Sequence, residues 1–287
     1  MSYLAQVQRC NRRDLSRYVP FIAAGQQVGW LTPERAAALK NLKGVFVAEG
    51  KGVGFTPSLK TATQRSGALA EVLLDLTTTG LFSRLRGEIY AVKNKWSDKP
   101  AFHIDRGLMA NFGLRAYGVH MNGLLRKPSG LHLWIGTRSK DVRVEPGKLD
   151  NMVAGGQPAG LTLVANLVKE CGEEAHIPPK LARTAKCVGS ISYAFDTRDG
   201  LRVDTLFCYD LAVPPTFKPK VSEEITRYQL MSIQTALRLA RTTRSFKFNV
   251  SLVIIDCAIR HGLIAPDNTR DFDAIITGLH ERPQPIV

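Results

Sequence analysis

Residues 155–177 read GGQPAGLTLVANLVKECGEEAHI, a glycine-rich segment that runs into a helix with an acidic end. Apolar residues recur in this stretch at positions i, i+1, i+4, i+5 and i+8, which is helical spacing. They are Leu163, Val164, Leu167, Val168 and Cys171. The stripe predicts an amphipathic helix packed on a core. The glycines ahead of it predict a loop in which the backbone can approach a ligand closely.

Three carboxylates lie near the end of this predicted helix: Glu170, Glu173 and Glu174. Residues three and four apart are neighbours on a helix, so these side chains fall within an arc of about 80°. Such crowding is unfavourable unless cations neutralise it, and Mg²⁺ prefers carboxylate oxygens while keeping waters that a phosphate can displace. The cluster therefore predicts a metal site. A solvated acidic surface is the alternative that the cluster alone leaves open.

The segment resembles the Nudix box: Gly, five residues, Glu, seven residues, then Arg-Glu-aliphatic-any-Glu-Glu-any-Gly-aliphatic. The positions that match in register are Gly155, Glu170, Cys171, Glu173, Glu174 and Ile177. Three positions depart from the box, with Leu161 in place of its first Glu, Lys169 in place of Arg and His176 in place of Gly. Lys169 keeps the charge but lacks the two-pronged guanidinium. His176 is expected at the helix C-cap, where a left-handed conformation is common.

Further phrases resemble one Nudix branch, the thiamin-pyrophosphokinase-related proteins, which also carry an N-terminal extension. These phrases are GVHMNG at 118–123, LHLWIG at 131–136, PGKLDN at 146–151 and AGGQPAG at 154–160. The resemblance implies hydrolysis of thiamin diphosphate, or of its oxidised analogues, to the monophosphate, a form of metabolite repair. Two alternatives stay open. One is a Nudix hydrolase of a nucleoside diphosphate derivative, and the other is a non-catalytic ligand or nucleic-acid binder.

The resemblance also implies roles for individual residues. Glu170, Glu173 and Glu174 would hold Mg²⁺ or Mn²⁺, and the general base would be Glu224, just ahead of a late strand, or a box glutamate such as Glu173. Lys169 joins Glu173 and Glu224 as a predicted catalytic residue. Cations in the loop before the glycines could hold phosphate oxygens. The predicted phosphate-binding residues are Arg138, Lys148, Gly155, Gly156 and Gln157.

Composition narrows the partners and the compartment. The 287-residue chain has 39 Lys and Arg against 25 Asp and Glu, a net charge of +14. These cations are dispersed and no nucleic-acid motif appears, so a small diphosphate drawn in by positive potential is expected as the partner. We expect no membrane partner, and a homodimer is the protein assembly considered. Five scattered cysteines without a C-x-x-C pair favour a reducing cytoplasm.

Local patterns predict an α+β chain with two domains. Residues 1–115 are expected to form an α+β domain with a structural or substrate-selecting role. Residues 116–287 are expected to form an α-β-α sandwich of the Nudix type, a mixed sheet between helices. The predicted strands are 45–47, 89–92, 102–105, 119–125, 131–135, 188–195, 201–211 and 225–230, and the predicted helices include 32–42, 68–76 and helices after the caps Ser232 and Asn249.

Overall fold

A seven-stranded mixed sheet occupies the centre of the molecule in the computed structural model, which describes residues 2–283 and 285. Five strands run in the order β11–β12–β7–β8–β13, and two short strands join them, β10 on β7 and β9 on β8. The strands are β7 (Arg115–Lys127), β8 (Gly130–Arg138), β9 (Leu149–Asp150), β10 (Val153–Gly156), β11 (Lys186–Thr197), β12 (Gly200–Ala212) and β13 (Ile225–Ser232). β7 and β12 run parallel, and the other pairs are antiparallel.

Two tight hairpins within this sheet confirm turn chemistry that is visible in the sequence. β7 turns into β8 through Pro128-Ser129, with Lys127 paired to Gly130. β11 turns into β12 through Arg198-Asp199, with Thr197 paired to Gly200. Both turns end in a glycine with positive φ, 106° at Gly130 and 119° at Gly200, a conformation that suits glycine because it has no Cβ.

Helices cover both faces of the sheet, so the predicted α-β-α sandwich is confirmed. α4 (Leu163–Ala175) packs through Leu167 and Cys171 on Val119 and Met121 of β7. A larger apolar cluster lies on the opposite face. It is built around the helices α6 (Ile233–Thr242), α7 (Val250–Arg260) and α8 (Phe272–Leu279), while the short α5 (Pro179–Ala182) follows α4.

The N-terminal part forms a second, phenylalanine-rich core around Phe21, Phe46, Phe55, Phe102 and Phe112. Its four-stranded sheet has the order β2–β1–β4–β3, and a separate hairpin joins β5 and β6. The elements are β1 (Val19–Ala23), β2 (Gln26–Leu31), α2 (Pro33–Lys40), β3 (Phe46–Glu49), β4 (Gly52–Phe55), α3 (Ala62–Thr78), β5 (Ile89–Val92) and β6 (Phe102–Asp105). The first helix, α1 (Tyr3–Arg9), packs instead on α6, α7 and α8. The division at residue 115 stays a prediction.

Helix caps show where local sequence reasoning succeeds and where it fails. Thr32 and Ser232 cap α2 and α6 by accepting hydrogen bonds from Arg35 N and Thr235 N. Asn249 precedes α7 but does not cap it with its side chain. Its amide donates to the Tyr193 hydroxyl at 3.0 Å, so the predicted capping role is wrong and the side chain belongs to a buried polar network. Among the helices in the described part of the chain, none is long and apolar enough to span a membrane.

Candidate active site

The helix α4 carries the acidic cluster and is fixed at both ends. Thr162 accepts a hydrogen bond from Ala165 N at 3.1 Å, which caps the N-terminus. At the other end His176 takes the predicted left-handed conformation, with φ of 54°, and Ile177 N donates to Cys171 O at 2.9 Å. These bonds satisfy backbone groups that a helix end would otherwise leave without partners. The glutamates therefore sit on a well-anchored turn.

The two glycines ahead of α4 lie in a strand and not in a loop, which corrects the predicted loop at this position. Gly155 and Gly156 end β10 and pair with Val119 and Gly118 of β7. A Cβ built on Gly155 would lie 2.5 Å from Oε1 of Glu170 and closer still to its Cγ and Cδ. The absence of a side chain at Gly155 is therefore what lets the Glu170 carboxylate lie against the strand.

Glu174 is the buried carboxylate of the cluster, with 5% of its surface exposed. One oxygen accepts a hydrogen bond from Ala154 N at 2.8 Å. Burial raises the pKa of Glu174 well above its usual range, and the negative charges of Asp150, Glu170 and Glu224 raise it further. This carboxylate is held where its own charge is unfavourable, which is the electrostatic signature of a site that a cation would stabilise.

Glu170 and Glu173 share an ammonium between them. Lys169 Nζ lies 3.2 Å from Glu170 Oε1 and 2.8 Å from Glu173 Oε2. Burial raises the pKa of Glu170, whose side chain is 12% exposed, whereas the Glu173 side chain is 59% exposed. The predicted compact patch of three carboxylates is thus resolved into one buried, one nearly buried and one exposed group. Lys169 bridges the outer two and offsets one of their two negative charges.

Glu170 and Glu174 are the groups that could hold a hard divalent cation, although the carboxylate oxygens of Glu170, Glu173 and Glu174 do not all lie within 4.8 Å of one another. Glu170 and Glu174 offer carboxylate oxygens beside the strand end at Gly155, and each is held in a setting that raises its pKa. Glu224 is exposed at the start of β13, and its charge acts on Glu174. Ser139 N donates to the Glu224 carbonyl at 2.7 Å, which fixes this position next to the end of β8. Oxygen donors of this kind suit Mg²⁺.

Three of the predicted phosphate ligands are engaged within the protein. Arg138 is buried, lies 2.7 Å from Asp150 and donates to Val144 O, so its guanidinium serves an internal ion pair. Lys148 Nζ donates to the carbonyl of Arg244, away from the acidic cluster. Gln157 Nε2 donates to Leu161 O at 2.8 Å and thereby closes the turn into α4. Each of these three side chains therefore already has a partner within the protein, and their role in phosphate binding stays a prediction.

The N-terminal domain contributes groups that sequence reasoning did not assign to the site. Ala159 N donates to Ile89 O at 2.8 Å, which ties β5 to the segment after the glycines. The Tyr90 hydroxyl lies over Gly156, and Arg106 pairs with Glu88 close by. Burial raises the pKa of Tyr90, and among its charged neighbours are Arg106 and Glu170. The strand at 89–92 was predictable, but its hydrogen bond with Ala159 in the segment before α4 was not.

The positive charges of three other arginines act on Arg86, which precedes β5. Burial lowers the pKa of Arg86, and the like charges of Arg143, Arg106 and Arg202 lower it further. Asp105 fixes the loop that carries Arg86, because its carboxylate accepts from Arg86 N, Gly87 N and Gly107 N. Guanidinium groups crowded in this way suit an anion such as a diphosphate.

A separate group of metal-type ligands lies elsewhere. In residues 2–283 and 285, one set of three His, Cys, Asp or Glu groups has its ligand atoms within 4.8 Å of one another, namely Asp210, Cys257 and His261. Arg260 already binds both oxygens of Asp210, and burial raises the pKa of the Cys257 thiol to about 12. A cation placed there would compete with a guanidinium, so this group is not the predicted metal site.

Comparison with known proteins gives the family. Over 271 residues the chain is 37% identical to Nudix hydrolase 24, chloroplastic, from Arabidopsis thaliana, covering 93% of this chain and 74% of that protein. It is 35% identical over 283 residues to Nudix hydrolase 20, chloroplastic, from the same plant, covering 94% and 76%. The chain belongs to the Nudix hydrolase family. The prediction of a Nudix enzyme that hydrolyses phosphoric anhydride bonds is confirmed, while the thiamin-related branch stays a prediction.

Two further comparisons give matches to parts of this Nudix hydrolase. Residues 2–116 match a family model described as a domain of unknown function, DUF4743. The crystal structure of DR0079 from Deinococcus radiodurans superposes with a TM-score of 0.46 and 21% identity, and covers 59% of this chain and 99% of that one.

Proposed function

We propose that this Nudix hydrolase cleaves the diphosphate of a small organic diphosphate, with Mg²⁺ or Mn²⁺ as its cofactor. Thiamin diphosphate or its oxidised analogues, cleaved to the monophosphate, is the first substrate class, because the phrases around the box resemble that branch. The observation that carries the proposal is the pair Glu170 and Glu174. Both carboxylates are largely buried beside Gly155, and both have raised pKa values.

When bound, a divalent cation would offset the negative charge of the diphosphate oxygens and lower the pKa of a bound water. Glu170 and Glu174 would hold it, with Glu173 at the exposed edge. Glu224 would take a proton from the attacking water, because its side chain is exposed and its negative charge acts on Glu174. The water oxygen forms a new bond to one phosphorus as the anhydride P–O bond breaks, and the second phosphate leaves as an anion. Arg86, Arg106 and Arg143 would bind its oxygens.

The decisive experiment removes one carboxylate without changing its shape. Glu174→Gln keeps an amide oxygen that can accept from Ala154 N, so the fold is expected to survive. The rate of release of phosphate or of the monophosphate should fall at least about 100-fold, because the metal would lose the negatively charged carboxylate of Glu174 as a ligand. Glu223→Gln is the matched control, because Glu223 is exposed and neighbours Glu224. Full activity of Glu174→Gln across thiamin and nucleotide diphosphates would refute the proposal.

A nucleoside diphosphate derivative is the second candidate substrate. A cavity lined by three phenylalanines and four cations opens beside Arg202. The four cations would attract the phosphates of such a substrate, and the phenylalanine rings offer a surface for its planar base. A side-by-side assay of thiamin diphosphate and ADP-type substrates, both with Mg²⁺, separates the two. Strongly salt-dependent RNA or DNA binding without any hydrolysis would favour the non-catalytic alternative.

The compartment is also a proposal. All five cysteines are free thiols in the described structure, and four of them are buried. This usage supports a reducing location such as the cytoplasm.

A further inference from the structure

Three side chains with metal-ligand chemistry meet at the end of α7. They are Asp210 of β12, Cys257 of α7 and His261, the residue at which α7 ends, and one ligand atom of each lies within 4.8 Å of the others. Cys257 and His261 are four residues apart, so they share one face of the helix. Two ligands at this spacing on a helix are an arrangement that can hold Zn²⁺. We call these three residues the Asp210 cluster.

The Asp210 cluster is separate from the glutamates of α4. Successive residues of a strand point to opposite faces of the sheet, and Tyr209 and Leu211 belong to the apolar cluster beneath α4. Asp210 therefore points to the other face, where Cys257 belongs to the larger apolar cluster. A cation held there would be distinct from the one expected at the glutamates.

The imidazole of His261 has a buried nitrogen that lacks a partner. Its Nε2 makes no hydrogen bond with any residue in the ranges 2–283 and 285. Burial is the largest cause that lowers the pKa of His261; Asp210 opposes this effect, and the charges of Arg260 and Arg126 add to it. The neutral imidazole that results can offer a ring nitrogen to a metal ion. Buried polar atoms usually have a partner, so this one indicates a missing ligand.

Arg260 now occupies the place of a cation between two carboxylates. Its guanidinium binds both oxygens of Asp210, and its Nε donates to Asp256 at 2.9 Å. Asp256 would keep Arg260 in place if a metal ion took Asp210. Two carboxylates against one guanidinium leave a net charge of −1, and a thiolate together with Zn²⁺ adds +1, so the metal-bound group is neutral. Such neutrality favours burial.

The donor set suits Zn²⁺ better than Mg²⁺. Thiolate and imidazole are ligands that Zn²⁺ prefers, whereas Mg²⁺ prefers oxygen, and three protein ligands leave a fourth position for water. Ligand atoms around a tetrahedral Zn²⁺ are about 3.5 Å apart, so the three side chains would need to approach by little more than about 1 Å. Asn122 Nδ2 already orients Asp210 through a hydrogen bond of 2.9 Å. The side chains of Asp210 and Arg260 are partly exposed, so an ion can enter from solvent.

We propose that the Asp210 cluster is a second metal site, which binds Zn²⁺ through Cys257 Sγ, a ring nitrogen of His261 and a carboxylate oxygen of Asp210. The thiol proton of Cys257 passes to solvent when the ion binds. The ion joins the end of α7 to β12 and thereby stabilises the packing of the helices on this face of the sheet. Its role is structural, and it is independent of the hydrolytic reaction.

Binding of the metal should depend on pH. Burial raises the pKa of the Cys257 thiol to about 12, Asp210 and Asp256 raise it further, and Arg260 lowers it. The thiol is therefore protonated at neutral pH, and the metal must displace its proton. With one proton released for each ion, affinity should rise about tenfold between pH 7 and pH 8.

Co²⁺ is the probe for the site, because a thiolate bound to Co²⁺ gives a charge-transfer band in the near ultraviolet. The full chain is titrated under reducing conditions in excess Mg²⁺, and Zn²⁺ should then remove the band. Cys257→Ser should abolish the band, and His261→Gln should weaken Co²⁺ binding at least about tenfold. Cys187→Ser is the matched control, because Cys187 is an exposed cysteine outside the cluster, and it should keep the band.

Arg260→Gln tests the exchange directly, because it removes the competing guanidinium. It should strengthen Co²⁺ binding at least about tenfold, since a charge-assisted bond to Asp210 no longer has to break. Zn²⁺ should also raise the Tm of the wild-type chain and not that of His261→Gln. Glu174→Gln should leave the band unchanged, so the hydrolytic proposal and this one can fail separately.

Three results would overturn the assignment. They are the absence of a thiolate band in the wild-type chain, a band that persists in Cys257→Ser, and Co²⁺ binding that does not improve in Arg260→Gln. Because Cys257 is buried, circular dichroism checks that its variant folds. If it does not, His261→Gln and Arg260→Gln decide the question, since both side chains are partly exposed.

Discussion

Gly155→Ala tests whether the contact between β10 and Glu170 sets activity. The new Cβ would lie 2.5 Å from Glu170 Oε1, and an ordinary contact begins at 3.4 Å, so the carboxylate must retreat by about 1 Å. The three atoms nearest to the Cβ all belong to the flexible side chain of Glu170, and the backbone of Gly155 has no positive φ. The side chain can therefore swing away at little cost in stability. A displacement of about 1 Å at a reacting centre lowers rates about 100-fold.

The assay is steady-state release of monophosphate with Mg²⁺, together with thermal unfolding of the same samples. We expect kcat to fall about 100-fold in Gly155→Ala while Tm changes by no more than a few degrees. Gly172→Ala is the control in the same helix turn, because its Cβ would meet no atom within 4 Å. It should raise stability by about 1 kcal/mol through helix propensity and leave kcat unchanged. An active Gly155→Ala enzyme would refute the view that Glu170 must lie against the strand.

Three further predictions concern the surroundings of the site. Arg138→Met should lower the free energy of unfolding in urea by about 3 kcal/mol and leave KM unchanged, because Asp150 would keep only Lys247 as a buried ion partner. A raised KM with unchanged stability would instead favour the phosphate-binding role first predicted for Arg138. Burial lowers the pKa of His120 from 6.5 to about 4, so the neutral His120 contributes stability above pH 6.5 that is lost as the pH falls toward 4. The free energy of unfolding in urea should therefore fall by about 3 kcal/mol over this range, and His120→Gln but not His132→Gln should flatten this dependence. Gly156→Ala should lower Tm because its Cβ would meet Tyr90 Cζ at 3.0 Å and the hydroxyl closer still, and adding Tyr90→Phe should restore part of the loss; no rescue would show that the strain lies elsewhere.

Local sequence signals sufficed for the five long strands of the central sheet and for the orientation of α4, but they missed the short strands β9 and β10. The apolar stripe, the cap at His176 and the turns at 128–129 and 198–199 all depend on residues within a few positions of one another. The strand character of Gly155 and Gly156 does not, because it comes from pairing with Val119 and Gly118, more than thirty residues earlier. Glycine in a strand also has no propensity signal of its own. The predicted loop was therefore wrong for a nonlocal reason.

Charged residues were harder to place than apolar ones. Arg138 and Lys148 stand in the same loop sequence as Arg143, and nothing local distinguishes them. Only the fold shows that Asp150 pairs with Arg138 and that the charge of Arg143 acts on Arg86. Asp150 itself follows the predicted loop and has no helical or strand periodicity to mark it as buried. Burial alone would raise its pKa, but Lys247, His120 and Arg138 hold it below the ordinary value.

On the proposed function, the division of charge would give the N-terminal part of the chain a role at the site. The glutamates of α4 and Glu224 come from the sheet body, whereas Arg86 and Arg106 come from the β5–β6 region, which is bonded to that body through Ile89 O. A diphosphate brings several negative charges to carboxylates that already repel one another, so its binding needs compensating cations close by. Arg86 and Arg106 would add to the positive charge of Lys169, which already contacts Glu170 and Glu173. On the proposed function, the domain therefore acts in binding the diphosphate, which goes beyond supporting the fold.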